Sequence, residues 1–127
     1  QSPADALDAA IEQGKAYAAD TGVMVLVKGG HLESGAASNA LVQPDGTVDI
    51  AEVPRVDTKN THGTGCSLSS ALATRMLIDD TYPSAVSWTS DWLHEAISHA
   101  DDLNVGEGHG PVHHFYRLYR LAGSDSL

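Results

Sequence analysis

The chain has 127 residues, close to the usual size of one domain, so a second independent domain is not expected. Seven Lys and Arg residues stand against 17 Asp and Glu residues, and the net charge of −10 argues against a nucleic-acid or anionic-membrane surface. Apolar residues make up 42% of the sequence but aromatic residues only 6%, which predicts a core built mainly from Val, Leu, Ile and Ala.

The single cysteine, Cys66, excludes an internal disulfide and favours a reducing, cytoplasmic compartment. No apolar run approaches the length of a membrane span, and no secretory signal is visible at the start. Because Gln1 is not an initiator Met, the gene product need not begin where this chain begins.

The chain opens with a predicted helix followed by a predicted strand. Apolar residues at three- and four-residue spacing indicate a helix over residues 3–19, and the apolar run 23–27 is typical of a strand covered on both faces. This order is the αβ half of a βαβ unit. The segment Lys28-Gly29-Gly30-His31 follows the strand at the end where open α/β sheets bind ligands.

Two shorter strands are predicted next, over residues 39–43 and 47–56. Pro44-Asp45-Gly46 separates them and is a strong hairpin signal, while Pro54 makes the end of the second strand an edge or a break. Only residues 23–27 look like a clearly buried strand, so we expect an incomplete sheet.

Two helices are predicted in the second half of the chain. The first runs from Thr64 to about residue 78, with Leu68, Ala71, Leu72 and Met76 on one face. The second runs over residues 81–103, with a broad apolar face. Its polar face is expected to meet water through the residues Asp91, Glu95, His99 and Asp102.

The segment Gly63-Thr64-Gly65-Cys66, between a polar loop and a helix, is the sharpest candidate site. Two glycines let the backbone turn several N–H groups toward one point, and the helix N-terminus adds unpaired donors. Such a nest stabilises an oxyanion or a phosphoryl group. The alternative is a glycine turn before an ordinary helix, with Cys66 as a small core residue.

Three further groups of residues are weaker candidates. Lys28 beside Gly29 can reach a phosphate, or it can be a solvated loop lysine. The polar loop 57–62 can touch phosphate or hydrated Mg²⁺, or it can be a plain surface loop. The last group consists of His109, His113 and His114, whose spacing suits Zn²⁺. Because no cysteine pair or acidic ligand accompanies these histidines, they do not predict a metal site.

Three segments resemble the hydroxymethylpyrimidine/phosphomethylpyrimidine kinase family, which belongs to the ribokinase-like kinases of thiamine biosynthesis. They are V-L-V-K-G-G-H from Val25, N-T-H-G-T-G-C-S-L-S-S-A-L-A from Asn60 and N-V-G-E-G-H-G-P-V-H-H-F from Asn104. The resemblance implies an α/β fold, namely the C-terminal half of a ribokinase-like α/β/α sandwich with an incomplete sheet. Residues 1–121 would belong to the kinase domain, and residues 122–127 would be a polar tail or linker.

The resemblance also implies a reaction and its residues. Mg-ATP would phosphorylate 4-amino-5-hydroxymethyl-2-methylpyrimidine and then its monophosphate. Gly63, Thr64 and Gly65 would form the anion hole, and Cys66 would be the base or substrate-positioning group. The nucleotide would be bound or bordered by a second set, which comprises Lys28, Gly29, Thr58, Asn60 and His109.

The family's N-terminal half is not present in this sequence, so the chain is expected to be a fragment or to associate with a second copy or with that half. Two alternatives stay open. One is a pyridoxal kinase of the same branch, and the other is a non-catalytic fragment or accessory interaction domain.

Overall fold

The computed structural model describes residues 3–30, 36–79 and 81–123. The chain divides into two compact units, Gln1–Arg55 and Val56–Leu127, and each is described by itself. Two segments of interest in the sequence, His31 and the end of the polar tail at residues 124–127, lie outside the described residues.

The first unit places helix α1 (Pro3–Thr21) on a small sheet. The sheet contains β1 (Val25–Lys28), β2 (Asn39–Val42) and β3 (Val48–Ala51) in the order β1-β2-β3. A Cβ atom at Gly14 would lie 2.9 Å from Val27 Cγ2, so the glycine lets the helix lie close to the strands. The buried core of this unit comprises Ile11, Ala18, Ala40 and Val42.

The predicted hairpin is confirmed between β2 and β3, although its second strand is shorter than expected. The turn is closed by Gly46, whose φ is 90°, and by Asp45, whose Oδ1 accepts from the Thr47 amide at 2.9 Å. β3 ends at Ala51, and beyond it Pro54 forms only an isolated bridge.

The prediction that residues 23–27 form the buried strand of the sheet is wrong. Among the described residues β1 pairs only with β2, antiparallel, and Val25, Leu26 and Val27 are half-buried. The strand that is buried at every residue is β2, because it has a neighbour on each side and lies under α1. An apolar run alone therefore did not reveal which strand is central.

The second unit is helical and begins with α2 (Thr64–Ile78) and α3 (Tyr82–Ser98), which pack together. The predicted range of α2 is confirmed. Thr81 caps α3, since its Oγ1 accepts from the Ser84 amide at 3.2 Å. The predicted continuation to residue 103 is interrupted at His99, after which Ala100–Leu103 form a 3₁₀ turn.

A short helix, α4 (Tyr116–Leu121), follows where the sequence indicated only the start of a tail. Glu95 of α3 holds it, accepting from Arg117 Nε at 2.5 Å and from Arg120 Nε at 2.6 Å. The expectation that Glu95 faces water is wrong, because its side chain is only 16% exposed. The same expectation is confirmed for Asp91 and Asp102.

The Glu95 carboxyl has a perturbed pKa. Burial acts to raise that pKa, but hydrogen bonds from Arg120 and Arg117 outweigh burial, so the pKa lies below its ordinary value of 4.5. The charged form of Glu95 is therefore the form that the folded unit stabilises.

Within the parts of the chain that the structure describes, no helix combines the length and the apolar character needed to cross a membrane.

Candidate functional site

The turn that leads into α2 has an unusual backbone. Gly63 stands at the N-cap with φ 85° and ψ 4°, a left-handed conformation that favours glycine. Thr64 stabilises the turn, because its amide and its Oγ1 both donate to the Thr61 carbonyl, at 3.3 and 2.6 Å. The Ser67 amide donates to the Gly63 carbonyl at 2.9 Å, which closes the first helical turn.

The same turn leaves two backbone donors free. No side chain caps the helix, and the amides of Gly65 and Cys66 have no acceptor among the residues that the structure describes. These amides lie at the positive end of a 15-residue helix. Adjacent free donors at such a position suit an anion, and a phosphate group in particular.

Cys66 lies in the first turn of α2 with an exposed side chain. The alternative that Cys66 is a small core residue is therefore wrong. The helix is anchored by Leu68, which is buried. An exposed thiol next to free amides can contact a molecule bound at the turn.

The polar loop before Gly63 is held by hydrogen bonds to residues far along the chain. Asn60 Nδ2 donates to Asp101 Oδ1 at 2.7 Å, and Asn60 Oδ1 accepts from the Gly110 amide at 2.8 Å. Thr58 Oγ1 donates to the same Asp101 oxygen at 2.5 Å. The structure thus brings together Thr58 and Asn60, which the sequence singled out separately.

His109 reaches the same loop from the segment 108–112. Its Nδ1 bonds the Lys59 carbonyl at 2.9 Å, and because a carbonyl only accepts, Nδ1 carries the hydrogen. In a neutral ring Nε2 is then left as an acceptor. The His62 amide also donates to the Gly110 carbonyl at 3.1 Å, so this loop and the segment 108–112 run side by side.

Asp101 is a residue of this network that sequence reasoning missed. The pKa of the Asp101 carboxyl lies below its ordinary value of 3.8, because the carboxylate accepts two hydrogen bonds. The bond from the Thr58 hydroxyl has the larger effect, and the bond from the Asn60 side-chain amide has the smaller one. The only signal in the sequence was an acidic pair at the end of a predicted helix, which is most simply explained by solvation.

A second missed contact joins α2 to the segment after residue 112. Ser67 Oγ and His114 Nε2 lie 2.7 Å apart, and the His114 ring is tilted against Trp92 at 6.4 Å between ring centroids. The first turn of α2 is therefore tied to the same stretch of chain that carries His109 and Gly110.

Lys28 and Gly29 belong to the other compact unit, Gln1–Arg55. Lys28 ends β1 with an exposed side chain, opposite Asn39 in the register. Gly29 has a packing role of its own, since its amide donates to the Ser38 carbonyl at 2.8 Å and a Cβ would lie 2.3 Å from that oxygen.

A family model described as phosphomethylpyrimidine kinase matches residues 1–113 of the chain. The chain belongs to the phosphomethylpyrimidine kinase family. This membership confirms the family resemblance that the three sequence segments indicated.

Two curated relatives of this family are similar over most of the chain. A thiamine biosynthesis multifunctional protein of Corynebacterium efficiens is 54% identical over 121 residues, which are 95% of this chain and 16% of that protein. The hydroxymethylpyrimidine/phosphomethylpyrimidine kinase of Salmonella typhimurium is 44% identical over 106 residues, covering 84% of this chain and 40% of that enzyme. The chain therefore spans less than half the length of either relative.

A solved structure is similar to this phosphomethylpyrimidine kinase family member. The ADP complex of Bacillus subtilis pyridoxal kinase superposes with a TM-score of 0.74 at 28% identity, covering 88% of this chain and 43% of that one. The expected ribokinase-like α/β fold with an incomplete sheet is confirmed, since the described residues form a three-stranded sheet only.

The residues present fit a bound anion better than a bound metal. The free amides of Gly65 and Cys66 are donors suited to phosphate. In contrast, the described part of the chain contains no group of three or more His, Cys, Asp or Glu side chains that could hold a metal ion.

Proposed function

We propose that this chain supplies the phosphoryl-binding part of an ATP-dependent kinase of 4-amino-5-hydroxymethyl-2-methylpyrimidine and its monophosphate. The observation that carries the proposal is the left-handed turn at Gly63, with the free amides of Gly65 and Cys66 at the positive end of α2. Membership of the phosphomethylpyrimidine kinase family supports the choice of reaction.

In the proposed reaction the substrate hydroxyl oxygen attacks the γ-phosphorus of ATP. A new phosphorus–oxygen bond forms, the bond between the γ-phosphorus and the bridging oxygen of ADP breaks, and the hydroxyl proton leaves. The amides of Gly65 and Cys66 stabilise the charge on the transferred group, while Thr64 and Gly63 hold the turn in place. The proton passes to the Cys66 sulfur when that sulfur is a thiolate. If the sulfur only orients the hydroxyl group, the proton passes to an oxygen of the transferred phosphoryl group.

The remaining candidate residues are nucleotide contacts in this proposal, assigned on the family resemblance and separately for each of the two units. Lys28 contacts its phosphates as a point charge, and Gly29 keeps the backbone beside Lys28 in place. The loop that carries Thr58 and Asn60, together with His109, borders the nucleotide. Mg²⁺ is expected to arrive with ATP, and we assign no step of the reaction to metal ligands of this chain.

Pyridoxal kinase is the second candidate, because the solved structure with a TM-score of 0.74 is a pyridoxal kinase. Sequence similarity favours the pyrimidine, since the Salmonella pyrimidine kinase is 44% identical and the Bacillus pyridoxal kinase 28% identical. A non-catalytic accessory domain is the third candidate.

The test is ATP-dependent phosphorylation by the complete gene product that carries this chain. We expect faster phosphorylation of the hydroxymethylpyrimidine than of pyridoxal, followed by formation of the diphosphate. Preference for pyridoxal would establish the second candidate, and the absence of ATP turnover with either substrate would establish the third.

Cys66→Ala separates the side chain from the backbone at this site. The variant keeps the Cys66 amide, so the affinity for ATP should stay unchanged, while loss of a proton acceptor should lower kcat about 10²- to 10⁴-fold. Ser70→Ala, further along α2 and exposed, is the matched control. An unchanged kcat in Cys66→Ala would contradict the role of the sulfur in proton transfer.

A further inference from the structure

The carboxylate of Asp101 links two of the residues proposed to border the nucleotide. Its Oδ1 accepts from Thr58 Oγ1 at 2.5 Å and from Asn60 Nδ2 at 2.7 Å. Thr58 and Asn60 are also joined to each other, because the Asn60 backbone N–H donates to Thr58 Oγ1 at 3.1 Å. Two side-chain donors thus share a single carboxylate oxygen, and a backbone bond joins their residues.

Asn60 is oriented from two sides by this arrangement. Asp101 accepts a hydrogen bond from Asn60 Nδ2, and the Gly110 backbone N–H donates to Asn60 Oδ1 at 2.8 Å. The fit is tight, since a Cβ at Gly110 would lie 2.7 Å from that same Oδ1. Exchanging the Asn60 oxygen and nitrogen would place donor against donor at Gly110 and acceptor against acceptor at Asp101.

These bonds engage the polar groups of Thr58 and Asn60 with other groups of the same unit. Thr58 Oγ1 both donates and accepts, and both ends of the Asn60 amide are engaged. The two side chains are therefore suited to shape the loop 58–62, which continues directly into the Gly63 turn. Contacts to a nucleotide are left to the loop backbone and to His109.

We propose that Asp101 is a positioning residue of the nucleotide site. Through Thr58 and Asn60 it fixes the loop 58–62, which borders a bound nucleoside triphosphate. The inference rests on the proposed function, because it takes the Gly63 turn as the phosphate site. It adds a residue whose carboxylate does not touch the nucleotide and acts only through its two hydrogen-bond partners.

Two substitutions of Asp101 in the complete gene product test this role. Asp101→Ala removes the acceptor and should raise the KM for ATP about fivefold to tenfold, while kcat and the KM for the pyrimidine stay within about twofold. Asp101→Asn keeps Oδ1 as an acceptor and should stay within about threefold of the wild type. Asp91→Asn, an exposed carboxylate on α3, should change nothing.

Thr58→Val is the second variant, which keeps the shape of the side chain but cannot donate to Asp101. It should raise the KM for ATP in the same direction. In the Asp101→Ala background it should add less than it does alone, since the bond to Asp101 is already lost and only the bond from the Asn60 backbone N–H remains to be removed. An unchanged KM for ATP in Asp101→Ala, or equal losses in Asp101→Ala and Asp101→Asn, would overturn the inference.

Direct ATP binding keeps the two proposals separate. If the wild type binds ATP but transfers no phosphate, the proposed function fails. The ratio of the Kd values for ATP of the wild type and Asp101→Ala then still tests the role of Asp101. If the wild type turns over ATP and Asp101→Ala binds it equally well, only the inference fails. If the wild type does not bind ATP, both fail.

Discussion

Single residues matter most in this protein where the backbone of one segment lies against the side chain of another. Gly110 is buried, and a Cβ there would lie 2.7 Å from Asn60 Oδ1 and 3.1 Å from its Cγ. At Gly108, two residues earlier, nothing lies within 4 Å of the same added atom. The two glycines form a natural pair for separating a packing effect from a general effect of alanine.

Gly110→Ala should therefore lower the free energy of unfolding by about 1 to 3 kcal/mol, because Asn60 must move and lose its bond to the Gly110 amide. Gly108→Ala should change it by no more than about 0.5 kcal/mol. Urea unfolding of the two variants measures the difference. Equal effects at the two positions would show that Asn60 is not held against Gly110.

The candidate residues could be predicted from the sequence only where the signal is local. The turn at Gly63 was identified because its glycines and its helix lie within a few residues of each other. Asp101 and His114 were not, because their partners Asn60 and Ser67 are 41 and 47 residues away. No local pattern of residue types records which distant donor a carboxylate or an imidazole meets.

At the scale of elements, one carboxylate of α3 binds two arginines of α4. Glu95 accepts from Arg117 and Arg120, and the Arg117 guanidinium also lies 5.1 Å from the centroid of the Trp88 ring. The Tyr116 ring of α4 also stacks on the His99 ring at the end of α3, with 3.5 Å between the ring centroids.

Glu95→Gln should lower the free energy of unfolding by about 1 to 3 kcal/mol, because it leaves two guanidinium groups without a carboxylate. Asp91→Asn, on the same helix and exposed, should lower it by no more than about 0.5 kcal/mol. Denaturant unfolding measures both. A Glu95→Gln variant as stable as Asp91→Asn would contradict the anchoring role of Glu95.

The pH dependence of this difference follows from the lowered pKa of Glu95. A carboxyl whose folded pKa is lowered contributes stability above its ordinary value of 4.5, and that contribution is lost as the pH falls through the folded value. The destabilisation by Glu95→Gln should accordingly be full at pH 6 to 7 (about two units above the ordinary value) and shrink below about pH 4.5. A difference that stays constant down to about pH 3 would contradict this account.

Elements were predictable where both ends carried a signal. The range of α2 is bounded by the glycine turn and by Asp79, and the β2–β3 hairpin by Pro44-Asp45-Gly46. The position of β1 in the sheet was not predictable. An apolar run such as the one that contains Val25 and Val27 occurs both in a central strand and in a strand paired on one side only. The burial of β2 comes from its neighbours and not from its own composition.

At the scale of the whole molecule, the open edge of the sheet and the short length of the chain both bear on how the protein assembles. Among the described residues β1 has a partner strand on one side only, and the chain spans 40% of the length of the Salmonella relative. We propose that further strands complete the sheet, from a second copy of the chain or from the other half of a kinase domain.

The assembled mass of the purified protein tests this proposal. Native mass spectrometry should give a dimer of the 13.3 kDa chain, a complex with a second polypeptide, or a single larger polypeptide. Each of these supplies strands to the sheet. A stable monomer of 13.3 kDa with a cooperative unfolding transition would contradict the need for additional strands.

The central claim is that the backbone donors of the Gly63 turn hold the phosphates of ATP. Amide chemical shifts measured by NMR during titration with ATP test it most directly, with adenosine as the control ligand. We expect the Gly65 and Cys66 amides to shift and saturate with ATP but not with adenosine, because only the phosphates reach the first turn of α2. Saturable ATP binding that leaves both amides unshifted would contradict the account.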